Sequence, residues 1–570
     1  LVAVIDDAPV RMSDNDTLEI AVPVSIRERA SADGAQQHVM TLRRSRERVR
    51  PDFGLMLHDD GDNTFIDGAA GVSTRRIEEH MRQIVDSPIK TVSYCIGTGV
   101  LFYPTRVGSS LGWRQTPFDT RAGWERIEYV RAGLARGEDP IRAGMAVLKQ
   151  NGRIGLLSHR LSDAHFIKTP DTYPLVPKFY LDNRSLIIGR DKSPVQNDAD
   201  YGNMLDFTHA AVRKYNYDIM AEAATRYQDV IGGIEIDFVR GQFLFPRGKG
   251  PERAYLITKL VEEVRAHLDG LAAKNKRPYY LAVRVPPSLE TSMWAGLDVK
   301  TWMQRDLVDV VIPSQLMTIA GDQPVDDFVR IGRATGVKVH PAILSRQNAS
   351  WPMADDPRRT GPRGNEAPAA RAEDVIGVAS NYYSMGADGL QLYNWAARAW
   401  VASPWFKTMT RQIATASSVT QHDAVFSVPP AYYFDVENTY EPRKQIPAKL
   451  TPGAPQQLTL FVGADPSKAA PQGVTLRLGF DVASRPGLAV RLDINGTAVP
   501  VPRAGEGLIA TPASRPASSY VAPRHYAPPG SFLYVPVDPK VLRAGANTVQ
   551  VVVNEPVTLM EFRLAMRRGR

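Results

Sequence analysis

Two carboxylates set two residues apart within an apolar run, Gly233-Ile234-Glu235-Ile236-Asp237-Phe238, are the residues of this sequence best suited to chemistry. Side chains of an extended strand alternate between faces, so Glu235 and Asp237 share one face and Ile234 and Ile236 the other. Burying two charges is costly unless they are paired or used. That face should therefore line a site. Two carboxyl groups flanking a glycosidic bond can serve as proton donor and as nucleophile or base across an oxocarbenium-like transition state. Asp237 is the expected nucleophile or base. Glu235 or Glu290 is the expected proton donor, its pKa raised by burial or a neighbouring acid. A competing reading pairs Glu235 with Arg284 or another inward base and leaves Asp237 alone in the chemistry.

The run at 233–238 is one of eight short apolar segments, and polar residues recur where the others end. These are His58-Asp59-Asp60, then His159, Arg160, Asp163 and His165, then Arg284, then Ser314 and Gln315, then His340, and last Gln391, Tyr393, Asn394 and Trp395. Acids, amides and histidines hydrogen-bond sugar hydroxyls, and aromatic faces stack on sugar rings. His58, Asp59, Asp163, His165, Arg284, Gln315, His340, Gln391, Tyr393 and Trp395 are accordingly the expected substrate-binding residues. Within that set, Arg284 and His58 would orient the acids or bind substrate oxygens. His58, Asp59, Asp163 and His165 are also metal-ligand types, but their spacing forms no tight motif. No metal or other cofactor is expected.

The elements that position these residues follow from periodicity. The apolar runs are Phe53–His58, Thr91–Ile96, Arg153–His159, Gly233–Phe238, Tyr280–Val285, Val308–Pro313, Val337–Ile343 and Gly389–Asn394. Helical patterns separate them, including Thr74–Val85, Asn203–Tyr227, Glu252–Lys274 and Glu373–Met385. Leu256, Leu260, Val264 and Leu268 recur every fourth residue and predict a helix face packed on the sheet. Strand–helix alternation repeated eight times predicts an α/β fold, a (β/α)8 TIM-type barrel, whose catalytic groups sit at the C-terminal strand ends. Gly97-Thr98-Gly99 lacks the third glycine of a dinucleotide loop. The stretch 161–202 is long enough to be a functional loop. Beyond about residue 425 the pattern turns to alternating runs at 457–462, 474–480, 489–494 and 548–553, with Asn495-Gly496 as a hairpin turn. These predict an all-β sandwich. The expected domains are an N-terminal extension at 1–50 with a strand at 18–24, a catalytic barrel at 51–424, and the sandwich at 425–570.

A chain of 570 residues exceeds one core. Its net charge is +8, with the basic residues dispersed among 61 acidic ones. That argues against a nucleic-acid partner and leaves attraction to an anionic polysaccharide open. One cysteine, Cys95, allows no intrachain disulfide and is expected to pack. No apolar run has the length of a membrane span. The chain begins at Leu1, so a removed leader and a secreted or periplasmic location are expected. The sequence sets no oligomeric state.

The run ending at Asp237-Phe238 resembles the fourth-strand motif of several glycoside hydrolase families. A chitinase-like pattern would place a catalytic Glu two residues on, where this chain has Val239. The segments 160–165, 233–240, 281–286, 296–302 and 307–314 together resemble glycosyl-hydrolase-like barrel proteins of environmental bacteria. The resemblance spans roughly residues 50–400 and implies a barrel with carbohydrate chemistry. The tail, with Leu542-Arg543-Ala544-Gly545-Ala546-Asn547 and Met560-Glu561-Phe562-Arg563-Leu564, resembles jelly-roll modules appended to glycosidases. A glycoside hydrolase is therefore expected. A metal-dependent or lyase-type carbohydrate enzyme on the same barrel, or a non-catalytic carbohydrate-binding protein, is the alternative.

Overall fold

The computed structural model describes residues 10–12, 17–22, 38–43, 49–61, 74–114, 121–163, 167, 169–193, 200–241, 243–315, 319, 321–344, 370–393, 395, 401–428, 445–482, 487–504, 506, 508–510 and 529–568. Residues 1–52 form one unit and 53–570 another. In the first, Val10–Met12, Thr17–Val22 and His38–Arg43 make a three-stranded antiparallel sheet.

The second unit is built on a curled parallel sheet. Its strands in chain order are Leu55–Asp59, Ile89–Cys95, Ile154–Arg160, Gly233–Asp237, Tyr280–Val285, Val310–Pro313, then the pair Lys338–Val339 and Ala342–Leu344, and finally Leu390–Tyr393. Each pairs in parallel with its predecessor, and Leu390–Tyr393 pairs with the first. Lys338–Val339 bonds to the sixth strand and Ala342–Leu344 to the eighth. These short strands are the two ends of the sheet, yet only His340-Pro341 separates them. Pro341 has no N–H to donate, and at this point the seventh strand changes partner. The ladder thereby returns to its start, as a TIM-like barrel requires.

Helices connect the strands: Thr74–Val85, Pro140–Gln150, Ala210–Arg226, Gly250–Asn275, Val299–Gln304, Val325–Thr335 and Ala372–Ser384. Leu256, Leu260, Val264 and Leu268 are buried, as their spacing predicts. Outward strand residues such as Val92, Leu157, Ile234, Ile236 and Val283 belong to the same core. Inside the barrel a separate apolar cluster includes Phe53, Met56, Leu156, Ala282, Val310 and Ala342. One pleat further toward the C-terminal ends, the inward residues become polar: His58, Ser158 and Arg284 follow Met56, Leu156 and Ala282. Gly233 admits the fifth strand closely, since a Cβ there would lie 1.9 Å from the Tyr280 carbonyl oxygen.

The C-terminal part is antiparallel. Ala424–Ser427, Val557–Arg568, Ala469–Phe480, Ser531–Pro536 and Leu508–Ala510 line up in one sheet, and Ala448–Leu450 also pairs with Val557–Arg568. Gln456–Val462, Gly545–Val553, Val490–Ile494 and Thr497–Val499 form the other. Asn495 and Gly496, both at positive φ (53° and 83°), make the tight turn between Val490–Ile494 and Thr497–Val499. Helix Ala372–Ser384 lies against these sheets. Asp374 meets Arg563, and Asn381 accepts from the Gly463 N–H at 2.7 Å.

Candidate active site

The sheet register brings residues from four neighbouring strands to one carboxylate on the fourth strand. Glu235 is fully buried, and its Oε1 meets His58 Nδ1 and accepts from Ser158 Oγ, each at 2.9 Å. Its Oε2 accepts from Ser93 Oγ and Gln391 Nε2, each at 2.7 Å. Burial alone would raise this acid. The charge of His58, with the hydrogen bonds of His58 and Ser93, outweighs it and holds the pKa at about 2. Conversely, burial would lower His58, but Glu235 and Asp60 raise it. The pair thus favours an ionised Glu235 and shifts His58 toward its protonated form. The raised pKa expected of Glu235 is corrected: its neighbours lower it, which disfavours the protonated form a donor needs.

One pleat above lies Asp237, also fully buried. Oδ2 accepts from Arg284 Nη2 at 2.7 Å, and Oδ1 accepts from the backbone N–H groups of Val239 (3.0 Å) and Arg240 (3.3 Å). Of the bases anticipated for Glu235, Arg284 thus pairs with Asp237, and another inward base, His58, pairs with Glu235. Arg284 also donates from Nη1 to Ser314 Oγ at 3.0 Å, and its guanidinium lies 3.7 Å from the Tyr393 ring centroid. Tyr393 in turn contacts His58, with ring centroids 4.7 Å apart. Burial pushes the Tyr393 phenol up, so it stays protonated.

A third group completes the mouth. Arg160, at the end of the third strand, meets Asp60 at 2.5 Å and Asp163 at 3.4 Å. His58 Nε2 lies 3.5 Å from Asp60. Burial would raise Asp60, but Arg160, His58 and Arg240 hold it well below the usual carboxylate range. Gly241 ties the loop after the fourth strand to that after the third: a Cβ there would lie 1.4 Å from the Ser162 carbonyl oxygen. A cavity of about 70 Å³ beside the mouth is lined in part by Arg160, Asp163, His159 and Tyr180.

The structure thus gathers His58, Glu235, Asp237, Arg284, Gln391 and Tyr393, with Asp163 joined through Arg160 and Gln315 buried next to Ser314. Four expected residues lie elsewhere. Asp59 points to the helix layer, its Oδ2 2.9 Å from His80 Nε2; alternation already puts it opposite His58. Trp395 donates to the Ile343 carbonyl at 3.0 Å and stacks on Trp405 in the outer core. His340 lies at the other end of the barrel beside Phe53 and Gly389. Strand stagger lowers it: Ala342, two residues on, pairs with Gln391, which pairs with Met56 below His58. Glu290 is exposed in the first turn of helix Leu289–Trp294, outside the buried cluster. His165 falls outside the described residues.

Sequence reasoning missed Ser93 and Ser158 and gave no role to Asp60, Arg160, Arg240 or Ser314. Inward alternation was the available signal, for Thr91, Ser93 and Cys95 share a face, as do Leu156, Ser158 and Arg160. Cys95 is buried among these groups. Burial pushes its thiol up to about 12, so it is no nucleophile near neutrality. Among the described residues no three His, Cys, Asp or Glu side chains converge as a metal site.

Fold and site together define a TIM-like α/β barrel with a buried, charged C-terminal mouth. No family model and no curated protein matches the chain. Among solved structures, a cycloisomaltooligosaccharide glucanotransferase of Paenibacillus sp. is 11% identical, with 96% of this chain and 60% of that one covered, at a TM-score of 0.33. A multi-modular cell-surface chitinase of Paenibacillus sp. is 11% identical, with coverage of 90% and 54% and a TM-score of 0.36. A noncanonic maltogenic alpha-amylase of Thermotoga neapolitana is 12% identical, with coverage of 89% and 98% and a TM-score of 0.35. The chain spans little more than half the length of the first two. Likeness this remote carries no argument about activity.

Proposed function

We propose that this protein is a glycoside hydrolase that cleaves an oligosaccharide or polysaccharide at the C-terminal mouth of its barrel. The observation that carries the reading is the setting of Asp237. It is a carboxylate at a strand end, fixed by one guanidinium and two backbone N–H groups, among acids and arginines drawn from neighbouring strand ends. A fixed orientation suits attack on an anomeric carbon or activation of water. Asp237 is the nucleophile or base. Glu235 acts from beneath it as a negative charge that raises the pKa of His58 and bonds to the first, second, third and eighth strands.

The proton donor on this reading is Asp163, on the loop after the third strand. Glu235 and Asp60 both have lowered pKa values, and Asp163 is a further acid that reaches the Arg160 guanidinium at this mouth. His58 and Arg284 are positioning residues. The catalytic unit assigned to residues 51–424, a jelly-roll-like sandwich at 425–570, and a secreted or periplasmic setting belong to the same proposal.

Asp237→Asn tests it. On a glycan that the wild-type protein cleaves, turnover should fall by about 10³-fold or more, with the circular dichroism spectrum unchanged. Turnover by Asp237→Asn equal to wild type on every cleaved glycan would sink the assignment.

A further inference from the structure

We propose that the sugar bound at this mouth is acidic, a uronate whose carboxylate is received by Arg284, Arg160, Tyr393 and Gln315. The inference rests on the hydrolase reading and names its substrate class.

The first support is the imbalance of hydrogen-bonding groups. Arg284 Nε, Arg160 Nε, the Tyr393 hydroxyl and Gln315 Nε2 are buried and have no hydrogen-bond partner in the protein. All four can donate, and three of them cannot accept. Arg284 lies against the Tyr393 ring, Gln315 directly follows the Ser314 that Arg284 bonds, and the Tyr393 phenol feels the charges of Arg160, Arg240 and Arg284. Arg284, Tyr393 and Gln315 are therefore neighbours, with Arg160 near enough for its charge to reach the Tyr393 phenol. A neutral sugar brings hydroxyls, each a donor as well as an acceptor. A carboxylate brings acceptors alone, and it pairs with guanidinium groups in a fork geometry.

The second support is charge. Glu235 is met by His58. Among the described residues Arg160, Arg240 and Arg284 face Asp60, Asp163 and Asp237, so these six groups balance when all three acids are ionised. A general acid must carry its proton before reaction. With Asp163 protonated, three guanidinium groups face two carboxylates, and one substrate anion restores neutrality. An acidic sugar thus favours the protonation state that hydrolysis needs.

The test compares the methyl glycosides of glucuronate and galacturonate with their uncharged uronate methyl esters, by titration calorimetry on the full chain. At least one acid should bind about 10-fold or more tightly than its ester, the gain of one charge-assisted contact. Tyr393→Phe and Gln315→Leu should each reduce that preference. An ester that binds as well as its acid, or no detectable binding of either acid, overturns the inference without needing a variant to fold. The two readings fail separately. Acid-selective binding with no glycan cleaved would remove the hydrolase and keep the uronate site. Cleavage of a neutral glycan with the kcat/KM of its uronate counterpart would do the reverse.

Discussion

Replacing Glu235 with glutamine keeps the shape of the side chain and removes the charge on which four strands converge. The carboxylate accepts from Ser93, Ser158 and Gln391 and faces the His58 ring 2.9 Å away. Glutamine has one acceptor oxygen, so its amide nitrogen must confront a donor, and His58 loses its counter-charge. The magnitude follows from titration. The folded pKa is about 2 against an ordinary 4.5, and at about 1.4 kcal/mol per unit this is roughly 3 kcal/mol. Breaking a buried pair by removing one partner costs about 3–5 kcal/mol, in agreement. The sign is that of a depressed acid. Its stabilisation is present above the unfolded pKa and is lost as pH falls toward about 2. His58 runs oppositely: its raised pKa stabilises below 6.5, and that share is lost as pH rises through the folded value. Urea unfolding of wild type and Glu235→Gln at pH 7, 5 and 3, followed by tryptophan fluorescence, reads both. The variant should be less stable by about 3 kcal/mol at pH 5 and 7, with the gap shrinking at pH 3. A gap below about 1 kcal/mol at pH 5, or one unchanged down to pH 3, would refute the reasoning.

Three other outcomes can be checked. Arg284→Met leaves Asp237 buried without its counter-charge, so hydrolysis at neutral pH should fall at least 10-fold while Arg284→Lys restores part of it, read as kcat rather than KM. Cys95, pushed up to about 12 and wholly buried, should react with a thiol reagent only as fast as the barrel unfolds; rapid labelling of the native protein would contradict its placement. Asp374→Asn strips the buried partner from Arg563, where helix Ala372–Ser384 meets the C-terminal sheet. It should lower the calorimetric stability by about 3 kcal/mol, and an unshifted transition would show that the ion pair contributes little there.

Local pattern alone was enough for much of this protein. Eight apolar runs with helical segments between them specify a parallel barrel, because period-2 and period-3.6 burial are properties of a few consecutive residues. The same alternation set Glu235 and Asp237 on one face. It also separates His58 from Asp59, although polar composition alone grouped them. The Asn495-Gly496 hairpin was legible because a two-residue turn needs positive φ. Tertiary structure decided what surrounds each acid. Barrel stagger places His340 beside Phe53 and carries Gln391 up to Glu235, and no local pattern encodes that offset. Residues 93, 158 and 391 lie far from 235 in sequence, yet together with His58 they lower an acid whose burial alone would raise it. On the proposed reading Asp237, fixed by Arg284, carries the chemistry. A pKa is set by neighbours within a few ångströms, and only the closed barrel makes these residues neighbours.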